Sequence, residues 1–94
     1  MMNEYKKTVA IKNKLGLHAR AASKLVSLAS RYESESKLLV LPSQIGANCK
    51  SIMGLMMLAA SCGTDVVITA NGKDAQDAVD AIVQLIDQRF GEAE

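Results

Sequence analysis

Ninety-four residues, 49% hydrophobic and 22% charged, describe one ordinary globular domain (residues 1–94) rather than a disordered chain. A net charge of +1 gives no strong pull towards nucleic acid or membrane, and the only aromatics, Tyr5, Tyr32 and Phe90, leave the core to aliphatic side chains. The charge is uneven all the same: residues 1–31 hold seven Lys/Arg against one acid and residues 32–94 hold four against nine, so the first third is either a field that attracts an anion or an acidic partner or a plain solvated basic edge.

Taken in chain order, the start "MMNEYKKTVA" has no apolar signal core. The longest apolar run, "IMGLMMLAA" at 52–60, is far too short to span a bilayer. A soluble cytoplasmic protein without membrane insertion is expected. "TVAIK" (8–12) alternates, with Val9 and Ile11 on one face, and predicts a strand. "NKLG" follows as a loop. Over 19–31 the apolar positions Ala22, Leu25, Val26 and Ala29, then Tyr32, recur at three- and four-residue spacing, which predicts an amphipathic helix with Arg20, Lys24, Ser27 and Arg31 on its other face.

"SKLLVL" (36–41) reads as a strand and "QIGAN" (44–48) as a short second strand closed against it by the Pro42 turn. "SIMGLMML" (51–58) reads as a short helix with Ser51 as N-cap. That run is apolar nearly all round, so a helix lying on a sheet must expose part of it. Leu55 and Leu58 are expected inside and Ile52 and Met53 outside, with Met56 unassigned. "TDVVITA" (64–70) is a β-branched strand, and "NG" at 71–72 turns the chain. The last helix covers about 74–89, striped by Ala75, Ala78, Val79, Ile82, Leu85 and Ile86, with Asp74 as its N-cap. The order β-α-β-β-α-β-α predicts an α/β (α+β) open-faced sandwich: a four-stranded, mostly antiparallel sheet with three helices on one face. The ferredoxin-like unit is the alternative topology.

The chain's single histidine, His18, falls in "NKLGLHAR" (13–20), at the N-terminal boundary of the first helix. The first N–H groups of a helix lack intrahelical partners, and its dipole places partial positive charge there. Such an end is an anion site. An imidazole beside it can carry a phosphoryl group whose oxygens meet those N–H groups, with Arg20 adding charge-assisted hydrogen bonds. Gly16 lets the backbone take an unusual conformation just ahead. From spacing alone, a lone histidine at a helix start is more often a cap or a surface residue than a nucleophile. Cys49 and Cys62 form no CxxC and one histidine adds no metal set, so two reduced thiols and no metal or cofactor are expected. Neither a GxSxG elbow nor a Walker loop nor a GxGxxG is present.

"NKLGLHAR", the helix after it and "NCKSIMGLMML" together resemble the HPr family, histidine-containing phosphocarriers of the bacterial phosphoenolpyruvate-dependent phosphotransferase system, over roughly residues 5–90 and in the same element order. The resemblance implies that His18 is phosphorylated on Nδ1 by phospho-enzyme I and dephosphorylated by enzyme IIA domains. It implies that Arg20 pairs with the phosphoryl group and that Ser51 is a regulatory serine, phosphorylated in some bacteria by an ATP-dependent kinase (HPr kinase/phosphorylase). It also implies an apolar docking patch of Ile52, Met53 and Met56, extended by Ala19, Lys24 and Ser27. The family usually has proline straight after the arginine; this chain has Ala21, which puts the geometry of phosphate release in doubt more than carriage itself. Ser51 read without the resemblance is a plain N-cap.

A monomeric phosphoryl carrier, not an enzyme in the usual sense, is the expected function. The alternatives are a regulatory docking module controlled through Ser51 and a carrier of the nitrogen branch. A nucleic-acid binder is disfavoured by the near-zero net charge and the scarcity of aromatics.

Overall fold

The computed structural model describes residues 3–94. In chain order the elements are β1 (Glu4–Ala10), α1 (Ala19–Ala29), β2 (Glu35–Val40), β3 (Ile45–Asn48), α2 (Ile52–Met57), β4 (Asp65–Asn71) and α3 (Ala75–Asp87), followed by a single 3-10 turn at Arg89–Gly91. The sheet order is β1-β4-β2-β3 and every pairing is antiparallel. This is the expected open-faced sandwich, and not the ferredoxin-like alternative.

One face of the sheet is apolar because inward positions alternate with outward ones. Val9, Val66, Ile68, Ala70 and Leu38 are buried on it. The helices bury Ala21, Ala22, Leu25 and Ala29 from α1, Leu55 from α2, and Ala75, Ala78, Val79, Ile82 and Ile86 from α3. Leu58 is only half-buried. Among the described residues, the buried apolar core is aliphatic apart from Phe90 and Cys49, both fully buried.

β1 begins four residues earlier than its apolar alternation suggests and ends at Ala10 rather than Lys12. Its upstream inward positions are Tyr5 and Lys7, opposite Ala70 and Ile68, and they carry no apolar alternation to read. Lys7 is tolerated because β1 lies at the sheet edge, where its ammonium pairs with Asp80 of α3 at 2.9 Å. Ile11 continues the pairing past the strand, donating its N–H to Thr64 (2.8 Å) and accepting from the Gly63 N–H (2.7 Å).

Asp74 stands at the N-cap position of α3 but makes no side-chain cap, so that expectation is corrected. Its carboxylate reaches across to the loop before β2. There it accepts from the N–H groups of Glu33 and Ser34, each at 2.9 Å, and from the Ser34 hydroxyl. The Ser34 hydroxyl, then these backbone donors, hold its carboxyl below the usual carboxylate range, against the effect of burial. Both cysteines are free. Cys49 is buried beneath the sheet's end, and burial pushes its thiol up to about 11.

A depressed carboxyl stabilises the fold above its unfolded value and stops doing so as pH falls through the folded one. Wild-type unfolding midpoints should therefore drop from about pH 4 downward, and Asp74→Asn should be less stable at neutral pH with a shallower acid slope. Urea titrations across pH, with amide exchange at Glu33 and Ser34, check this; equal slopes in the two proteins would show that the clamp contributes nothing.

Candidate functional site

Gly16 has φ +68°, and a side chain there would place its Cβ 2.4 Å from the Ala60 carbonyl oxygen and 2.9 Å from the Ser61 Cα. The next residue, Leu17, is buried and donates its N–H to Ala60 at 2.9 Å. The loop before α1 is thus laid directly on the loop after α2. From this turn the chain enters the helix through His18, which is extended (φ −79°, ψ 179°) and occupies the N-cap position without capping through its side chain. The first helical hydrogen bond runs from the Ala22 N–H to the His18 carbonyl at 2.8 Å. The N–H groups of Ala19, Arg20 and Ala21 precede that bond and have no intrahelical partner. Ala21 sits fully buried in this first turn, so the turn forms without the family's proline, whose missing N–H would have cost no helical bond at this position.

The His18 ring is 27% exposed. It opens into a shallow depression of about 780 Å³ whose walls include Lys14, Leu15, Ala19, Arg20, Glu92 and Glu94. Arg20 is exposed, and among the described residues no salt bridge occupies its guanidinium. The structure therefore brings His18, Ala19 and Arg20 together at one site. Ser27 lies further along α1, in a second shallow groove with Leu28 and Leu85. Lys24 lines that groove too, but its ammonium is spent on the Phe90 carbonyl at 2.6 Å.

Two residues at the centre of the site carry no sequence signal. Glu92 accepts from His18 Nε2 through Oε2 (2.5 Å) and from Asn13 Nδ2 through Oε1 (3.0 Å). Asn13 is fully buried and also donates Nδ2 to the Gly16 carbonyl at 2.7 Å. Burial pushes the Glu92 carboxyl up, but the hydrogen bonds from His18 and Asn13 outweigh it and hold the group below the usual carboxylate range. The field around His18 is consequently not the wholly basic one implied by the first third of the chain, because two acids of the last stretch, Glu92 and Glu94, fold back to it.

Ser51 is the N-cap of α2, extended at φ −120° and ψ 107°, with its hydroxyl accepting from the Gly54 N–H at 3.0 Å. Behind it Ile52, Met53 and Met56 are exposed as an apolar set, 41%, 69% and 40%, and Met57 is more exposed still at 80%. Met57 and the 70% exposed Leu15 at the rim of the His18 depression are additions to that set. α2 packs against α1, so the set and the histidine belong to neighbouring elements.

A family model described as the PTS HPr component phosphorylation site matches residues 5–88. The chain is 51% identical over 82 residues to the phosphocarrier protein HPr of Cupriavidus necator, covering 87% of this chain and 90% of that one. It is 41% identical over 92 residues to the phosphocarrier protein NPr of Shewanella violacea, covering 98% and 99%. The crystal structure of HPr-C-His from Thermoanaerobacter tengcongensis superposes with a TM-score of 0.88 at 41% identity, over 96% of this chain and 99% of that chain.

Gly16→Ala should cost about 1–3 kcal/mol or more, since a left-handed backbone and a collision with fixed backbone both oppose the new methyl. Chemical denaturation measures the loss, and amide shifts confined to residues around 13–20 and 58–64 would locate it. A change of less than about 0.5 kcal/mol would show that the two loops can part at little cost.

Proposed function

Because the chain belongs to the HPr family of phosphocarrier proteins of the phosphotransferase system, we propose that it takes a phosphoryl group on Nδ1 of His18 from phospho-enzyme I, the group originating in phosphoenolpyruvate, and passes it to enzyme IIA domains of sugar transporters. The observation that carries this reading is the placing of the imidazole. His18 stands at the N-cap of α1, at the edge of an open depression, with Nε2 occupied by Glu92 and Nδ1 left to react. The Nδ1 lone pair forms the N–P bond as the bond from phosphorus to the donor breaks, and the donor keeps that electron pair. Arg20 and the free N–H groups of the first turn meet the phosphoryl oxygens, where charge-assisted hydrogen bonds and the helix dipole favour an anion. The protein holds and presents the group; turnover belongs to its partners.

Residues 1–94 act in this reading as one monomeric carrier domain. Ala19, Lys24 and Ser27 on α1 and Ile52, Met53 and Met56 on α2 form the docking face. Exposed, flexible methionines suit a surface that must fit several partners. Ser51 is the regulatory site: its hydroxyl already sits at a helix N-terminus, so a phosphate is tolerated by the fold while adding about −1.5 to −2 charge beside the docking face. A nitrogen-branch carrier is the second reading, and the similarity to an NPr over 98% of the chain favours it. The same His18 chemistry serves both.

Incubated with enzyme I, magnesium and phosphoenolpyruvate, the wild type should gain one acid-labile phosphoryl group by intact-mass spectrometry, and His18→Ala none. An unmodified wild type beside an active control carrier would refute carriage. Ser51→Asp should fold normally yet bind enzyme I about tenfold more weakly, or worse, through like-charge repulsion. Calorimetric titration showing wild-type affinity would remove Ser51 from regulation.

A further inference from the structure

Glu92 lies beyond the last helix, in a stretch that nothing in the pattern of apolar residues ties down, yet it is held from both sides. Before it, Arg89 and Phe90 adopt left-handed conformations (φ 60° and 55°) that end the helical path, and the fully buried Phe90 ring anchors the turn. The Phe90 carbonyl is held by the Lys24 ammonium. After Glu92, the Glu94 carbonyl accepts from the Lys14 N–H at 2.8 Å. Between these ties the Glu92 side chain is only 15% exposed, and each of its oxygens has a partner.

The orientation of Asn13 settles the donors. Its Nδ2 faces two acceptors, the Gly16 carbonyl and Glu92 Oε1, and its Oδ1 is left buried without a partner. A flipped amide would turn its oxygen towards both acceptors, so the assignment follows from the network. Glu92 is then an acceptor towards Asn13 and, as a carboxylate, an acceptor towards His18 as well. The hydrogen of the neutral ring must therefore sit on Nε2.

We propose that Glu92, oriented by Asn13, is a positioning residue for phosphoryl transfer: it fixes the His18 tautomer with hydrogen on Nε2 and the lone pair on Nδ1. The inference rests on the carrier reading above. As Nδ1 bonds to phosphorus the ring gains positive charge, and the carboxylate on Nε2–H meets it. When the group leaves for an acceptor, the N–P electron pair returns to Nδ1 and the ring is again neutral with its Nε2 hydrogen. That hydrogen neither enters nor leaves in either step. The arrangement follows the same logic by which a buried carboxylate orients the imidazole of a hydrolase triad.

Glu92→Gln makes the test sharp. Its carbonyl oxygen faces Asn13 Nδ2, so its NH₂ faces His18 and requires Nε2 to accept. Side-chain ¹⁵N NMR at about pH 9, where a free imidazole is neutral, should report hydrogen on Nε2 in the wild type and a shift towards hydrogen on Nδ1 in Glu92→Gln. With phospho-enzyme I as donor, kcat for carrier phosphorylation should fall about 10- to 100-fold, with KM for the carrier little changed. Glu92→Ala should also slow transfer, with a mixture of tautomers. Backbone amide spectra confirm that each variant is folded, and Asn13→Ala provides the second arm should either fail to fold: it should loosen the tautomer preference without touching the carboxylate. Wild-type tautomer and rate in Glu92→Gln would overturn the role of Glu92 while leaving the carrier reading intact. A wild type that accepts no phosphoryl group at all would overturn the carrier reading, and this inference with it.

Discussion

Gly16 is pressed so closely against the Ala60–Ser61 backbone that no side chain fits between them, and the rest of the site is built outward from that contact. It joins the loop that leads into α1 to the loop that leaves α2. It makes the chain turn through a left-handed residue immediately before Leu17 is buried and His18 is extended. The direction in which α1 starts, and so the direction in which its unpaired N–H groups point, follows from that turn. The placing of α2 and its exposed methionines beside α1 follows from it too. The imidazole and the apolar set are thus referenced to one backbone contact rather than to two independent loops.

The carboxylates near His18 give the site a divided electrostatic character. Arg20 and the helix end supply positive potential, whereas Glu92 and Glu94 line the same depression and Glu92 meets the ring at Nε2. An anion at the site therefore meets the Arg20 guanidinium and the first-turn N–H groups with acids close by. A wholly basic pocket would hold any anion more tightly than this mixed one.

Much of this fold is legible in the order of residues, and the illegible parts share a cause. α1 and α3 show themselves through stripes that return every three or four positions, because each lays one face on the sheet. Ser51 can be read as a cap because its partner, Gly54, is three residues away. Val9 and Ile11 mark β1, but Lys7 and Tyr5 do not, since an edge strand permits an inward lysine that an acid on α3 then satisfies. Asp74 looks like a cap and is instead a clamp on residues 33–34, forty residues off. Glu92 and Asn13 are silent for the same reason at greater length. Their hydrogen bond spans 79 positions and that to His18 spans 74, and no local pattern encodes a meeting that only the completed sheet arranges. Phe90 hides because a lone aromatic just past a helix resembles a frayed end until the left-handed turn that buries it is seen.

The strand order β1-β4-β2-β3 has a consequence for how the molecule comes into being. The strand at the centre of the apolar face, β4, follows both of its neighbours in the chain, so β1 and β2 cannot share a sheet until residues 65–71 have been synthesised. Only the β2–β3 hairpin is local; α1, at eleven residues, is too short to persist alone in water. Long-range closure dominates the folding barrier, and a chain still on the ribosome holds its apolar strands apart, with covered surface still to come. The last stretch, from Phe90 to Glu94, then locks over Asn13, Lys14 and His18. The site is therefore complete only when residues 13–18 and 90–94 have met.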